Sequence, residues 1–99
     1  MIEFAEQDAT LLEPATDQRV ATLPPFKVIL HNDDVNDFEH VILTVMKLTT
    51  LKAQEAAIAA LEAHETGQSV LLITHRERAE LYCEQFNTFG ITVTSEPDV

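Results

Sequence analysis

Six consecutive residues, Asn32-Asp33-Asp34-Val35-Asn36-Asp37, include five Asn or Asp, and no regular element accommodates such a run. Their short side chains hydrogen-bond to nearby backbone and so compete with both helix and sheet ladders. The run is therefore a turn, and the chain must change element across it. Before it, Phe26-Lys27-Val28-Ile29-Leu30 is rich in β-formers and follows the Pro24-Pro25 pair, which predicts a strand buried on most of one face. After it, Phe38, Val41, Ile42, Val45 and Met46 recur at helical spacing, predicting a helix from about Asp37 to Leu48. Asn36 with Glu39 three residues on is the expected capping box.

Thr49-Thr50 interrupts that pattern. Leu51 to Glu65 is alanine-rich, with Ala53, Ala56, Ala57, Ala60, Leu61 and His64 on overlapping helical rows, so a second helix can lie close to its neighbour. Gly67 suits a left-handed cap at its end. Ser69-Val70-Leu71-Leu72-Ile73 reads as a wholly buried second strand. Thr74 and Glu77 form a second capping-box pattern, opening a helix with apolar positions Ala79, Tyr82, Cys83, Phe86 and Phe89 that Gly90 ends. Ile91-Thr92-Val93-Thr94 alternates with period two and gives the last strand. The predicted order is βααβαβ, an α+β layer with its helices on one sheet face.

Length allows one small domain: 99 residues. Residues 1–23 carry Glu3, Glu6, Asp8, Glu13 and Asp17 against Arg19 alone, with no sustained apolar period, and read as a flexible acidic arm ahead of a core domain at residues 24–96. Over the whole chain, 17 Asp plus Glu against 6 Lys plus Arg gives a formal net charge of -11. That balance repels phosphate, so nucleic-acid binding and docking on an anionic membrane are not expected. There is no signal-peptide pattern and no apolar run near the roughly 20 residues that cross a bilayer. Cys83 stands alone and closes no intrachain disulfide. The expectation is a cytoplasmic protein.

Two readings of Asn32-Asp33-Asp34 stay open on the residues themselves. One is a turn whose charges complement a helix dipole; the other is a site for something cationic. A calcium loop starting at Asn32 fails, because its glycine would fall at Asp37 and its terminal Glu at Leu43. The histidines His31, His40, His64 and His75 show no metal-ligand pairing, so no metal is expected. Cys83 lacks an activating motif, Ser69 starts a strand, and two glycines build no phosphate loop. Neither catalysis nor a cofactor is expected.

The segment Pro-Pro-x-Lys-Val-x-Leu-x-Asn-Asp-Asp at Pro24 to Asp34, followed by Glu39, Val41, His64-x-x-Gly67 and Ala79-Glu80, resembles ClpS, the adaptor of the bacterial ATP-dependent Clp protease. The likeness runs from about Pro24 to Glu96. It implies a three-stranded antiparallel sheet packed against three helices. It also implies a non-catalytic N-end-rule adaptor that binds proteins beginning with Leu, Phe, Tyr or Trp and delivers them to an AAA+ unfoldase, ClpA or ClpC. A monomer is expected.

By the same resemblance, Asn32, Asp34 and His64 surround the substrate's α-amine and Asp33 adds negative field. Asn36, Phe38, Val41, Ala60, Ala63 and Ile91 would line the side-chain pocket. If His64 accepts a hydrogen bond from the amine, protonating it removes the acceptor and weakens binding. Three departures matter. Phe38 stands where many members have a Met, Ala60 and Ala63 are smaller than the usual Met and Val, and Tyr82, with Glu80 and Glu84 nearby, replaces a Lys that contacts the unfoldase in some members. The rival reading is a ribosome- or assembly-associated interaction module of the same fold that binds no N-terminal residue.

Overall fold

A strand does end at the Asn/Asp run and a helix does begin after it. The structure, a computed structural model, describes residues 23–99; the expected acidic arm, Leu23 apart, lies outside the described residues. The elements are β1 (Phe26–His31), α1 (Phe38–Leu48), α2 (Ala53–Thr66), β2 (Gln68–Thr74), α3 (Arg76–Thr88) and β3 (Val93–Pro97). The sheet has order β2-β1-β3 with both pairings antiparallel. This is the predicted α+β order.

Both N-caps fall one residue later than predicted, and neither forms a capping box. Asp37, not Asn36, caps α1, its Oδ1 accepting from the His40 amide at 2.9 Å. Asn36 is occupied elsewhere, its Nδ2 donating to the Gly90 carbonyl at 2.8 Å. His75, not Thr74, caps α3, Nδ1 accepting from the Arg78 amide at 3.4 Å, because Thr74 is still paired with Phe26 in the sheet. Gly67 does adopt the left-handed cap, with φ 100°, and its amide donates to the Ala63 carbonyl at 2.9 Å.

Among the described residues, helices cover one sheet face only. Val28 and Leu30 of β1 point to them, joined by Val41 and Val45 of α1, Leu71 of β2, Ala79 and Phe86 of α3, and Ile91. The buried row of α2 is Ala56, Ala59, Ala60 and Ala63, whereas Ala53, Ala57 and Leu61 are exposed. A helix that buries only methyl groups can approach its neighbours closely, and this proximity places its last two turns beside the end of β1.

Two strand predictions need correction. β2 is an edge strand, and its register against β1 shifts between Val28 and Ile29, where Leu71 is the extra residue. Val70 and Ile73 therefore share the open sheet face and are 47% and 54% exposed rather than buried. β3 begins at Val93, two residues after the predicted start, because the Ile91 amide still donates to the Phe86 carbonyl of α3 at 3.1 Å.

Candidate functional site

β1 delivers the chain into the Asn/Asp turn at the point where α2 ends. One backbone bond fixes this meeting: the Asn32 amide donates to the Gly67 carbonyl at 2.9 Å. The turn is then built by Asp33. Its carboxylate accepts from the Val35 amide at 2.7 Å and the Asn36 amide at 3.3 Å, and also from the Asn36 side chain. Asn36 in turn reaches Gly90 at the other end of the turn. The loop is thus tied to the ends of both α2 and α3.

Beneath this loop lies a cavity of about 280 Å³, below the range of drug-sized ligand sites and suited to one large side chain. Its apolar lining comes from Leu30, Val41, Ala60 and Ala63, all buried. Phe38, 45% exposed, stands at the first turn of α1 over the opening. Its ring meets that of His64 edge-on, with centroids 5.7 Å apart and planes at 65°. The polar end is lined by Asn32, Asp33, Asp34, Asn36 and His64, with His31 beside them.

The polar residues divide by what they already hold. Asp33 is committed to the loop, and the Val35 amide, then the Asn36 side chain, hold its carboxyl below the ordinary carboxylate value. The side chains of Asn32, Asp34 and His64 hydrogen-bond to no other described residue. A carboxylate and an amide oxygen beside an imidazole are acceptors for a small cation, and the apolar floor suits the body attached to it. Among the described residues no cluster of three or more His, Cys, Asp or Glu is placed to hold a metal ion.

Nine of the ten candidate residues line this one cavity. Ile91 does not; it is 1% exposed and belongs to the core. The resemblance placed Ile91 in the pocket wall; here it follows Gly90, at φ 78°, and packs into the core instead. Sequence reasoning missed Leu30 and His31. The alternation of β1 carried the signal, since Leu30 is its last inward residue before the turn and must face whatever space the turn encloses.

The lowered Asp33 value has a consequence for pH. Because the folded loop favours the charged carboxylate, its stabilisation is complete above the unfolded value near 3.8 and is lost as pH falls through the lower folded value. Asp33→Asn should therefore show a flatter acid limb of stability below about pH 4 than the parent chain. Thermal unfolding followed at stepped pH reads this directly, and identical acid limbs would contradict it.

The family described as ATP-dependent Clp protease adaptor protein ClpS has a model that matches residues 21–94. The chain is 37% identical over 91 residues to the adapter protein ClpS of Synechococcus sp. (strain CC9902), covering 91% of this chain and 88% of that protein. It is 36% identical over 91 residues to a chloroplastic Clp protease adapter of Chlamydomonas reinhardtii, covering 89% of this chain and 56% of that one. Among solved structures it resembles Agrobacterium tumefaciens ClpS2, bound there to L-phenylalaninamide. The TM-score is 0.73 at 23% identity, covering 76% of this chain and 98% of the other.

Proposed function

The chain belongs to the ClpS family of ATP-dependent Clp protease adaptors, and from that premise we propose that it captures proteins by a free N-terminal Leu, Phe, Tyr or Trp and presents them to a Clp AAA+ unfoldase, ClpA or ClpC. The observation that carries this reading is the joining of two features in one cavity: Asn32, Asp34 and His64, whose side chains hold no partner among the described residues, at the mouth, and the apolar floor of Leu30, Val41, Ala60 and Ala63 behind them. Phenylalaninamide, the ligand of the Agrobacterium protein, has the matching halves, a free α-amine and an aromatic side chain.

The magnitudes suffice for a single-residue signal. Charge-assisted hydrogen bonds contribute about 1.5–3 kcal/mol each, and burying one large apolar side chain adds roughly 1.5–3 kcal/mol. After the loss of overall motion on binding, affinities on the order of micromolar follow. Asp33 supports the mouth by fixing the loop and adding negative field. The adaptor performs no chemistry itself; its product is proximity.

Phe38 and the two alanines set the ranking of first residues. The Phe38 ring, braced by His64, narrows the entrance near the ligand's Cβ, which disfavours the branched side chains of Val and Ile. Ala60 and Ala63 recess the far wall and leave depth for long rings. Anisotropy titrations of peptides that differ only at the first residue test this. Leu, Phe, Tyr and Trp should bind within about tenfold of one another and Val and Ile at least tenfold more weakly, a gap of about 1.4 kcal/mol. Tighter binding of Val or Ile would overturn this ranking, and no binding by any peptide would favour an interaction module without N-terminal recognition.

A further inference from the structure

A second cavity, about 260 Å³, lies along the free edge of β2 and shares no lining residue with the first. It is touched by Ser69, Val70 and Leu71 in succession. Successive strand side chains point to opposite faces, so a hollow reached by all three opens at the strand's edge. Its other wall is α2, through Glu55, Ile58, Ala59 and Glu62. At about 100° per residue Glu55, Ile58 and Glu62 lie on the helix face opposite Ala60 and His64, with Ala59 on the buried row between them. Ile58 is 61% exposed and Val70 47%, so apolar surface is left uncovered here.

Two carboxylates bracket that surface, and each is fixed. Glu55 Oε1 accepts from the Lys52 amide at 2.9 Å, and Glu62 Oε1 accepts from the buried Ser69 hydroxyl at 2.7 Å. One oxygen of each carboxylate is thereby engaged. Neither joins an ion pair among the described residues, where the pairs are Lys27 with Glu96 and Arg76 with Glu80. The two lie seven residues apart, about 10 Å along the helix axis.

Charge identifies the occupant by elimination. A second copy of this chain carries the same net charge of -11, and residues 1–22 hold five acidic side chains against Arg19, so both would bring like charge to the groove. Strand addition needs a regular ladder, and the slip at Leu71 breaks the one β2 offers. We propose that the groove docks an amphipathic helix of a partner protein whose aliphatic stripe is bracketed by Lys or Arg. Such a helix would set the stripe on Ile58 and Val70 and its cations on Glu55 and Glu62. This surface lies beyond the N-terminal recognition site and does not depend on it.

The test is a titration of the full chain with a designed helical peptide carrying Lys at positions i and i+7 and Leu at i+3 and i+4, followed by backbone amide shifts. Shifts should centre on Ile58, Glu62 and Val70. Affinity should fall roughly tenfold in the Glu55→Gln/Glu62→Gln double variant and again in Ile58→Asp, but stay within about twofold in a Glu80→Gln/Glu84→Gln control of equal charge change. Saturating the first cavity with L-phenylalaninamide should leave the peptide's affinity unchanged. The proposal is overturned if the control loses as much as the groove variant, if replacing both Leu by Ala leaves affinity intact, or if the groove closes by self-association in sedimentation.

Discussion

A peptide beginning with free Phe should lose at least about 100-fold in affinity when its α-amine is acetylated, a difference of about 2.7 kcal/mol or more. Acetylation removes the positive charge and two of the three donors while leaving the side chain intact. Asn32, Asp34 and His64 would then face a neutral amide, and a desolvated carboxylate without a cationic partner is penalised further. The side-chain contribution alone, roughly 1.5–3 kcal/mol, does not sustain measurable binding. Asn32→Ala and His64→Ala should each weaken the free peptide about tenfold and leave the weak acetylated one unchanged, which separates loss of amine recognition from general damage to the pocket. Equal affinities for the two peptides would exclude N-terminal recognition, whatever the variants show.

Phe86→Ala should destabilise the domain by about 3–5 kcal/mol. Phe86 is the largest fully buried side chain, at 0% exposure, and sits where α3 meets the central strand. Its carbonyl also receives the amides of Phe89 and Ile91. The surrounding core offers little to collapse into the space, since α2 contributes methyl groups held by a rigid helix. For a domain of this size each kcal/mol shifts the midpoint by about 4–8 °C, so a fall of roughly 12 °C or more is expected in thermal unfolding. Phe89→Ala, removing a half-buried ring that lies under Lys47 at 5.1 Å, serves as the comparison and should cost well under half as much. Similar midpoints for the two variants would contradict this account of the core.

Element order was legible because each boundary is marked by local chemistry. The Asn/Asp run forbids either regular element, and Gly67 is needed where the backbone turns left-handed. The details that failed are those decided by distant partners. Asn36 looked like a cap, but a carbonyl 54 residues away, on Gly90, claims its amide. An apolar run looked wholly buried, but which face of β2 is covered depends on its edge position and on one register slip. At the polar end only the crowding of acceptors at Asn32-Asp33-Asp34 was readable from the residues, with a turn and a cation site both open, and the place of His64 beside them rested on the family resemblance. Its apolar wall was not readable from spacing and rested on the family resemblance, because Leu30, Val41, Ala60 and Ala63 come from three elements and meet only in space.

The recognition loop is moored at Asn32 to the carbonyl of Gly67 and at Asn36 to that of Gly90. Main-chain oxygens are present whatever side chain is encoded, so these moorings survive changes at Phe38, Ala60 and Ala63, although the second requires the Asn36 side chain. Both glycines hold positive φ, 100° and 78°, which other residues adopt at a penalty. Under the proposed function, amine recognition and side-chain preference would be separable traits: the wall at Phe38, Ala60 and Ala63 could drift toward new first residues while the Asn/Asp loop kept its place. A lineage could retune which proteins it condemns without first rebuilding the means of finding their ends.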